Sequence, residues 1–425
     1  MRVLWFSNTP ANSDEYFNSE LKGTGGWLKS LDRALQDSVE LHVAFYHHQG
    51  SSSFRYKNTT YHPINRGKHR LELIKSRIFN YVMDQEDLDL YLELIQQVQP
   101  DIIHIHGTEN PFGCILDNIE IPAAVSIQGN ITIYHHKYFS GIEKQFSTVG
   151  KQYFSNIKKI LLEQTFLDVY KRFGKMKNRE LNNLKSCQNI IGRTDWDRRI
   201  TRLFAPRSKY YHCDEILRDQ FYTAQWQPPN NDKLILHTTS GNSLYKGFET
   251  ICQALTELNR YGLEVEWRVA GISKDDSIVK AVKKKLTNNY PTQGLKLLGK
   301  IDANELVLRL LEADIYIMPS HIENSPNSLC EAMLLGLPCI ATFAGGTSSL
   351  LQDGKEGILV QDGDPWAMAG AILEFSENPA EAEHYGLLAR ERSHARHSDK
   401  KIVTNLLDIY RRLSGGGTTT QIKVS

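Results

Sequence analysis

The hydrophobic and polar positions along this chain predict two successive sets of short buried strands separated by helices. Strands are predicted in the first half at residues 3–7, 41–46, 101–106, 123–128, 189–192 and 210–213, and in the second half at 234–239, 265–270, 295–298, 315–318, 339–342 and 358–360. Helical periodicity fills the intervals, for example at 27–36, 88–97 and 152–184. Because apolar strands that alternate with helices are typical of covered parallel sheets, the pattern predicts an α/β protein with two doubly wound, Rossmann-like domains.

A polar stretch that contains Pro-Pro and Asn-Asn, TAQWQPPNND, interrupts this alternation and predicts an interdomain linker at 223–232. The predicted first domain is 1–222 and the second is 233–395. A C-terminal helix at 396–413, expected to pack back towards the first domain, and a flexible tail at 414–425 complete the chain. Two such domains imply a ligand cleft between them, facing the carboxyl ends of both sheets.

Charge is balanced overall, with 50 Lys and Arg against 49 Asp and Glu in 425 residues, which argues against a dedicated nucleic-acid binder. The distribution is uneven, because residues 131–210 hold 17 basic and 6 acidic residues. This basic segment has two interpretations, a solvated helical face or a surface for a polyanionic or lipid-phosphate acceptor at the inner membrane leaflet. Aromatic residues interleaved with these charges, such as Tyr134 and Tyr138, are further candidates for stacking on sugars.

The six cysteines are scattered, without the spacing of a zinc site or a disulfide framework. The N-terminus lacks a basic-then-apolar signal pattern, and no apolar run approaches the roughly 20 residues that span a bilayer. These features predict a cytoplasmic protein with reduced thiols, either soluble or peripheral at the inner face of a membrane.

The most informative segment is MPSHIENSPNSLCEAMLLGLPCIATFAGG. A predicted strand ends at its start, and Pro326 stands where a helix can begin. Asn327 and Ser328 would then present backbone amides at the positive end of that helix, which favours an anion. Glu323 and Glu331 flank this turn, and carboxylates suit hydroxyl-rich ligands because they accept several hydrogen bonds.

This segment resembles the E-x7-E motif of the retaining glycosyltransferases of family four, group 1 type enzymes with the GT-B fold of two facing Rossmann-like domains. Glu323 and Glu331 match its two acids, and the continuation EAM-x-x-G-x-P followed by A-T-x-x-GG also matches. The resemblance implies that Glu323 contacts the transferred sugar and that Glu331 contacts the nucleotide ribose. The implied cradle for the sugar and the diphosphate is the backbone of Pro326, Asn327, Ser328 and Leu329. Without this context, the two acids would be a loop charge and a solvated helix residue.

A second segment, LILHTTSGNSLYKG, resembles the family's strand followed by G-R-x4-K-G, in which Arg and Lys neutralise the leaving diphosphate. Lys246 matches the lysine, and we expect it on the helix that follows the strand; the alternative is an exposed lysine at a helix start. The arginine position falls on Gly241. The resemblance then requires that Gly241 and Asn242 supply backbone or amide donors, or that another arginine reaches in.

Further glycines resemble other parts of a donor site. Gly345 and Gly346 are expected to let the backbone approach a phosphate at another helix N-terminus, at Thr347. Gly271 and Lys300 resemble the positions that line the nucleotide base.

The first half matches the family more loosely. Gly25 and Gly26 open a predicted helix and resemble a turn beneath the donor diphosphate. In PDIIHIHG, His106 is a cleft candidate on the same face as His104, although such histidines are more often packed in the interior. Gln128 stands where many family members carry a histidine that contacts the transferred sugar, and Gln donates a hydrogen bond but is no general base.

Two other side chains are cleft candidates in the first half. His135 substitutes for the missing histidine or is an exposed loop residue. Arg193 is a candidate for the missing phosphate cation or forms a surface salt bridge. No third ligand accompanies the H-x-H pair, so a metal site is not predicted.

Taken together, the resemblance implies a metal-independent retaining hexosyltransferase whose second domain binds a UDP- or GDP-sugar as donor substrate, without a further cofactor. The first domain would bind a carbohydrate or lipid-linked glycan acceptor in polysaccharide or cell-envelope glycan synthesis. The alternatives are a non-catalytic nucleotide-sugar-binding relative, and another GT-B enzyme such as an epimerase or a phosphorylase.

Overall fold

The computed structural model describes residues 1–16, 26–47, 52–65, 87–146 and 165–415. The first of its two sheets has the strand order β3-β4-β2-β1-β5-β6-β7-β8. Its strands are β1 Arg2–Ser7, β2 Glu40–Tyr46, β3 Phe54–Tyr56, β4 Thr59–Ile64, β5 Ile102–His106, β6 Ala123–Ser126, β7 Asn189–Gly192 and β8 Lys209–His212. The pairings are parallel except between β3 and β4, which form an antiparallel edge.

The second sheet is entirely parallel, with the order β11-β10-β9-β12-β13-β14. Its strands are β9 Leu234–Thr239, β10 Val265–Ala270, β11 Leu295–Gly299, β12 Ile315–Met318, β13 Cys339–Thr342 and β14 Ile358–Val360. The order reverses between β9 and β12, and such a switch point opens a crevice at the carboxyl ends of the strands. The second sheet therefore offers a ligand site after these two strands.

The described helices cover both sheets. In chain order they are α1 Ser13–Tyr16, α2 Gly26–Leu35, α3 Leu88–Val98, α4 Ile131–His136, α5 Phe166–Ser186, α6 Asp195–Phe204, α7 Gln220–Thr223, α8 Phe248–Tyr261, α9 Ser277–Leu286, α10 Ala303–Leu311, α11 Asn327–Leu335, α12 Pro365–Glu377, α13 Pro379–Arg396 and α14 Asp399–Leu413. Thr165 and Thr194 begin α5 and α6 with capping boxes, in which the threonine and the third helical residue satisfy each other's amides. None of the described helices combines the length and the apolar character needed to cross a bilayer.

The sequence predicted every strand of these sheets except β3 and β4. The predicted strands stand out because a parallel strand covered on both faces has a run of apolar residues. The missed edge hairpin contains Pro63 and a polar turn at Lys57, whose φ is +55°. Three predicted strand ends were too long, at residues 101, 127–128 and 213. The helix predicted at 152–184 is seen as α5, and residues 147–164 lie outside the described part of the chain.

Two local predictions were wrong. Lys246 does not lie on a helix but in the short 3₁₀ turn Leu244–Lys246, and α8 begins only after Gly247. Gly247 has φ +73°, and a Cβ at this position would lie 2.0 Å from the carbonyl oxygen of Pro319, so glycine fixes the break. The helix expected at Thr347 is likewise a single 3₁₀ turn, Thr347–Ser349.

Helix α14 and the segment between the sheets are firmly packed, and the part of the predicted tail beyond residue 415 lies outside the described residues. Tyr410 of α14 is buried in the core of the first sheet, where its hydroxyl accepts a hydrogen bond from Trp5 Nε1 at 3.0 Å and lies 2.6 Å from His104 Nδ1. In the segment predicted as a linker, Trp226 is buried, and its indole donates to the carbonyl of Ala313 at 2.7 Å. That part of the segment is held on the second sheet's core.

Candidate functional site

The carboxyl ends of the two sheets meet at Asn324, in the loop after β12. Its amide nitrogen donates to the carbonyls of Ile127 and Gln128 at 3.2 Å each, just beyond β6. The hydroxyl of Thr194, just beyond β7, donates to its oxygen at 2.8 Å. Asn324 is 1% exposed, so these hydrogen bonds join the two halves in the interior of the cleft. They bring the loop of Glu323 against Gln128, as a site shared by both domains requires.

Glu323 and Lys246 form an ion pair at the floor of this cleft, with 2.6 Å between Nζ and Oε1. The Glu323 side chain is 8% exposed and the Lys246 side chain 29% exposed. Burial alone would lower the pKa of Lys246, but the neighbouring carboxylate outweighs it and the pKa is raised. Lys246 is therefore a fixed cation, and Glu323 is a carboxylate held in one position.

The helix α11 begins between the two glutamates. Pro326 occupies its N-cap position without a side-chain hydrogen bond, and no acid stands in its first turn. Asn327 and Ser328 are half-buried there, whereas Leu329 is fully buried and its amide donates to the carbonyl of Pro326 at 3.1 Å. The backbone amide of Leu329 is therefore not free to bind a ligand, and the predicted cradle is limited to the residues before it. The open positive end favours an anion.

Glu331 is held by Arg218, which the sequence did not single out. Arg218 Nε and Nη2 each lie 2.6 Å from one of the two carboxylate oxygens of Glu331. Glu331 is 3% exposed, and burial raises its pKa against the opposing effect of the guanidinium. The side chain predicted to contact a ribose is therefore engaged by an arginine in this structure. No sequence pattern marks this contact, because the partners are 113 residues apart.

Gly345 and Gly346 do not stand open towards a phosphate but pack against the loop of Glu323. The Gly346 amide donates to the Glu323 carbonyl at 2.9 Å. A Cβ at Gly345, where φ is +56°, would lie 1.9 Å from that carbonyl oxygen, and one at Gly346 would lie 2.1 Å from the oxygen of Asn324. The glycines allow two backbones to touch, which fixes the position of Glu323.

The remaining donor-site candidates surround the ends of β9, β10 and β11. Gly241 leaves open space where a Cβ would be, and Asn242 accepts a hydrogen bond from Ile278 N at 3.0 Å at the start of α9. The Asn242 amide oxygen is therefore occupied. Gly271 has φ +91° and permits close contact with the carbonyl of Ser240, while Lys300 is exposed just after β11.

The first-domain candidates Gly26, Gln128 and Arg193 have different partners, with the carbonyl of Gln128 bonded to Asn324, and Gly25 lies outside the described residues. Gly26 begins α2 against the Arg218 side chain. Arg193 is not at the surface: it pairs with buried Glu215 at 3.1 Å and lies 5.0 Å from the centre of the Trp27 ring. Its charge is therefore already balanced.

The two histidine candidates are packed against aromatic rings. His106 is buried beside Trp5, with 4.6 Å between ring centres, and burial keeps its pKa well below the usual value. It shares a face with His104 as predicted, with 3.8 Å between the ring centres. His135 stacks on Tyr170 at 4.2 Å, and burial lowers its pKa. Neither position places an imidazole beside Glu323.

A histidine that the sequence did not point to lies two residues before Glu323. His321 Nε2 is 2.6 Å from Glu249 Oε1, and Nδ1 is 3.5 Å from Asp362 Oδ2. Burial opposes protonation, but the two carboxylates outweigh it and raise the pKa of His321 to about 9. Lys137 of the first domain reaches the same Asp362 at 3.7 Å. These ion pairs hold His321, and with it the loop that carries Glu323, against Glu249 and Asp362.

Aromatic residues of the basic segment pack against the second domain. Tyr134 stacks on Tyr245 with 5.2 Å between ring centres, and Tyr138 and Ile142 are buried in the core of the second sheet. A sugar-stacking role for Tyr138 is therefore wrong, because its ring is only 1% exposed. Within the described ranges, no three His, Cys, Asp or Glu side chains converge as metal ligands would.

The second domain also matches known proteins in sequence. Residues 232–378 match the profile of the family described as Glycosyl transferases group 1. A putative colanic acid biosynthesis glycosyltransferase, WcaL of Salmonella typhimurium, is 28% identical over 138 residues, covering 31% of this chain and 33% of that protein. The chain thus spans about a third of the length of this relative. The profile match supports a group 1 glycosyltransferase, and its range, residues 232–378, includes Lys246, Glu323 and Glu331.

Similarity of fold extends over nearly the whole chain. Sucrose-phosphate synthase from Thermosynechococcus elongatus gives a TM-score of 0.71 at 15% identity, covering 98% of this chain and 99% of that one. HepE from Anabaena, solved in complex with UDP and glucose, gives 0.65 at 14% identity, covering 96% and 99%. The predicted GT-B fold of two facing Rossmann-like domains is confirmed.

Proposed function

We propose that this chain is a retaining glycosyltransferase that moves a sugar from a UDP- or GDP-sugar to a hydroxyl of a carbohydrate or lipid-linked acceptor. The observation that carries the proposal is the Glu323–Lys246 pair beside the open start of α11, where the two sheets meet. A fixed carboxylate, a fixed cation and a positive helix end together suit a sugar joined to a diphosphate. The match of this region to group 1 glycosyltransferases supports the same assignment.

In the proposed reaction, Glu323 accepts hydrogen bonds from the hydroxyls of the transferred sugar. The acceptor hydroxyl attacks the anomeric carbon from the side of the leaving group, the bond to the diphosphate breaks, and the hydroxyl proton passes to the departing diphosphate oxygen. The configuration is thereby retained. Lys246 and the α11 amides stabilise the negative charge that develops on the diphosphate. Each well-placed donor of this kind contributes roughly 10²–10³ in rate. We propose that the reaction needs no metal ion.

Gln128 follows β6, and its backbone carbonyl accepts a hydrogen bond from Asn324, the residue next to Glu323. We propose that its side chain hydrogen-bonds the transferred sugar without acting as a base. The acceptor binds on the first-domain side of the cleft, beside Gln128. Exclusion of water by the closed cleft limits hydrolysis of the donor.

We propose a place in polysaccharide or cell-envelope glycan synthesis, because the similar WcaL is a putative colanic acid biosynthesis glycosyltransferase. The excess of basic residues at 131–210 supports an anionic, lipid-linked acceptor at the inner face of a membrane in the cytoplasm. In this proposal the exposed charges of the segment contact the lipid surface. Its buried rings, such as Tyr138, instead pack against the second domain.

The test is acceptor-dependent release of nucleotide diphosphate from a panel of UDP- and GDP-sugars by the full chain, with and without EDTA. The proposal predicts release that EDTA does not reduce and that Glu323→Gln abolishes. Tight nucleotide binding without any turnover would instead identify a non-catalytic relative, which the glycine at position 241 would then explain. Isomerised donor without acceptor, or phosphate-dependent release, would identify an epimerase or a phosphorylase.

A further inference from the structure

We propose that Arg218 is an exchangeable counter-ion of the donor site. It neutralises Glu331 while the site is empty and moves to the diphosphate when a nucleotide sugar binds. This inference rests on the proposed function and adds to it the group that meets the phosphates. It also identifies the contact that the donor must displace.

The Arg218–Glu331 pair lies where the two domains meet. Arg218 precedes α7, whose Phe221 is buried in the core of the second sheet, and its side chain lies against Gly26 of the first domain, whereas Glu331 lies on α11 in the second domain. Both carboxylate oxygens face guanidinium nitrogens at 2.6 Å. The guanidinium occupies the face of the carboxylate that would otherwise receive a ribose diol in the same two-point manner, and the rest of the side chain is buried. For Glu331 to bind a ribose diol on that face, Arg218 must give way.

The surroundings of Arg218 favour a second anion. Its aliphatic carbons lie against Gly26 at the start of α2, where an added Cβ would be 2.7 Å from Arg218 Cγ. Neither α2 nor α11 has an acid in its first turn, so the two positive helix ends near the guanidinium are not balanced by side chains of their own. A guanidinium between two positive helix ends is stabilised by a neighbouring anion, and Glu331 supplies only one negative charge.

A diphosphate satisfies this arrangement better than Glu331 does. It carries more charge than one carboxylate, and guanidinium binds phosphate oxygens bidentately as readily as it binds carboxylates. The arginine side chain is 23% exposed, with its guanidinium 4.7 Å from the centre of the Phe221 ring. It can therefore turn about its own side-chain bonds while Phe221 and Gly26 keep its stem in place. The exchange moves one side chain and breaks no covalent bond.

The test separates phosphate contacts from ribose contacts. Affinities of the full chain are measured by calorimetry for UDP and uridine, and for GDP and guanosine. The ratio of nucleoside to diphosphate dissociation constants gives the contribution of the diphosphate. It is compared among the wild type, Arg218→Met, Glu331→Gln, and the double variant with both changes, which leaves no stranded carboxylate and so protects the fold.

A matched control is Arg33→Met on α2. Arg33 forms a comparable ion pair with Asp219 at 2.8 Å, but its side chain is 40% exposed on the outside of the same region. This variant controls for the loss of one arginine charge near the cleft. It is expected to keep the wild-type ratio.

We expect the ratio to fall about tenfold or more in Arg218→Met and in the double variant. In Glu331→Gln it should stay within about twofold of the wild type, while the affinity for the nucleoside falls. Equal weakening of nucleoside and diphosphate by Arg218→Met would overturn the inference and leave Arg218 as a support for Glu331. If the wild type binds neither UDP nor GDP, the proposed function fails together with it.

Discussion

Replacing Lys246 with methionine tests the Glu323–Lys246 pair on both activity and stability. Methionine keeps most of the apolar length of the lysine side chain but has no ammonium group. Glu323, whose carboxylate lies 2.6 Å from that ammonium in the wild type, therefore loses its ion-pair partner. Two unit charges about 4 Å apart near a protein surface attract by about 4 kcal/mol. Because the lysine side chain is 29% exposed and partly hydrated, we reduce this to about 2 kcal/mol.

A loss of about 2 kcal/mol lowers the Tm of a domain of this size by about 4–8 °C. The activity loss should be far larger than this stability loss explains. If Lys246 stabilises the departing diphosphate, kcat/KM for the donor falls by roughly 10²–10³. The assays are thermal unfolding of the purified chain and nucleotide release at a temperature well below the lowered Tm.

The matched control is Lys233→Met, in the same domain. Lys233 also pairs with a buried acid, Glu266, at 2.8 Å, but it precedes β9 and so lies at the edge of the sheet away from the cleft. Glu266 keeps two further cations, Lys296 and Arg268, so its stability cost should be smaller. The reasoning is refuted if Lys246→Met keeps most of its activity while folded, or if Lys233→Met loses as much activity.

Three further changes test the surroundings of the site. Asn324→Ala removes three hydrogen bonds between the domains and should cost about 2–3 kcal/mol in chemical denaturation, with unchanged stability counting against the contact. Because the pKa of His321 is raised to about 9, its stabilising contribution is complete below pH 6.5 and lost as pH rises through 9. His321→Gln should therefore flatten the fall in unfolding free energy between pH 6.5 and 9.5, and an equally steep fall would contradict this. Tyr410→Phe removes the hydroxyl that Trp5 donates to and should cost about 1–2 kcal/mol of unfolding free energy without changing KM for the donor.

The parts of the fold that follow from local pattern could be predicted, and contacts between distant segments could not. Buried parallel strands such as Ile315–Met318 stand out because both their faces are apolar. The assignment of Glu323 and Lys246 to one donor site came from a motif resemblance and not from spacing, and their ion pair was not predicted. The local backbone at Lys246 was predicted wrongly, because Gly247 stops the turn before the helix starts.

Arg218 shows most clearly what the sequence alone left out. No periodicity or motif links it to Glu331, and only the fold brings the two together. The same holds for Tyr138, whose segment is rich in charge although its own ring is buried in the core of the other domain. Charge counted along the chain therefore overstated how much of this segment faces solvent.

The most direct test of the account is proton NMR of a UDP- or GDP-sugar during turnover by the full chain, with water or a candidate glycan as the acceptor. The account predicts release of nucleotide diphosphate and a first product with the anomeric configuration of the donor. It also predicts that Glu323→Gln abolishes this signal. A first product with the opposite configuration would contradict retention, and the absence of any donor cleavage with every acceptor would contradict the proposed transferase.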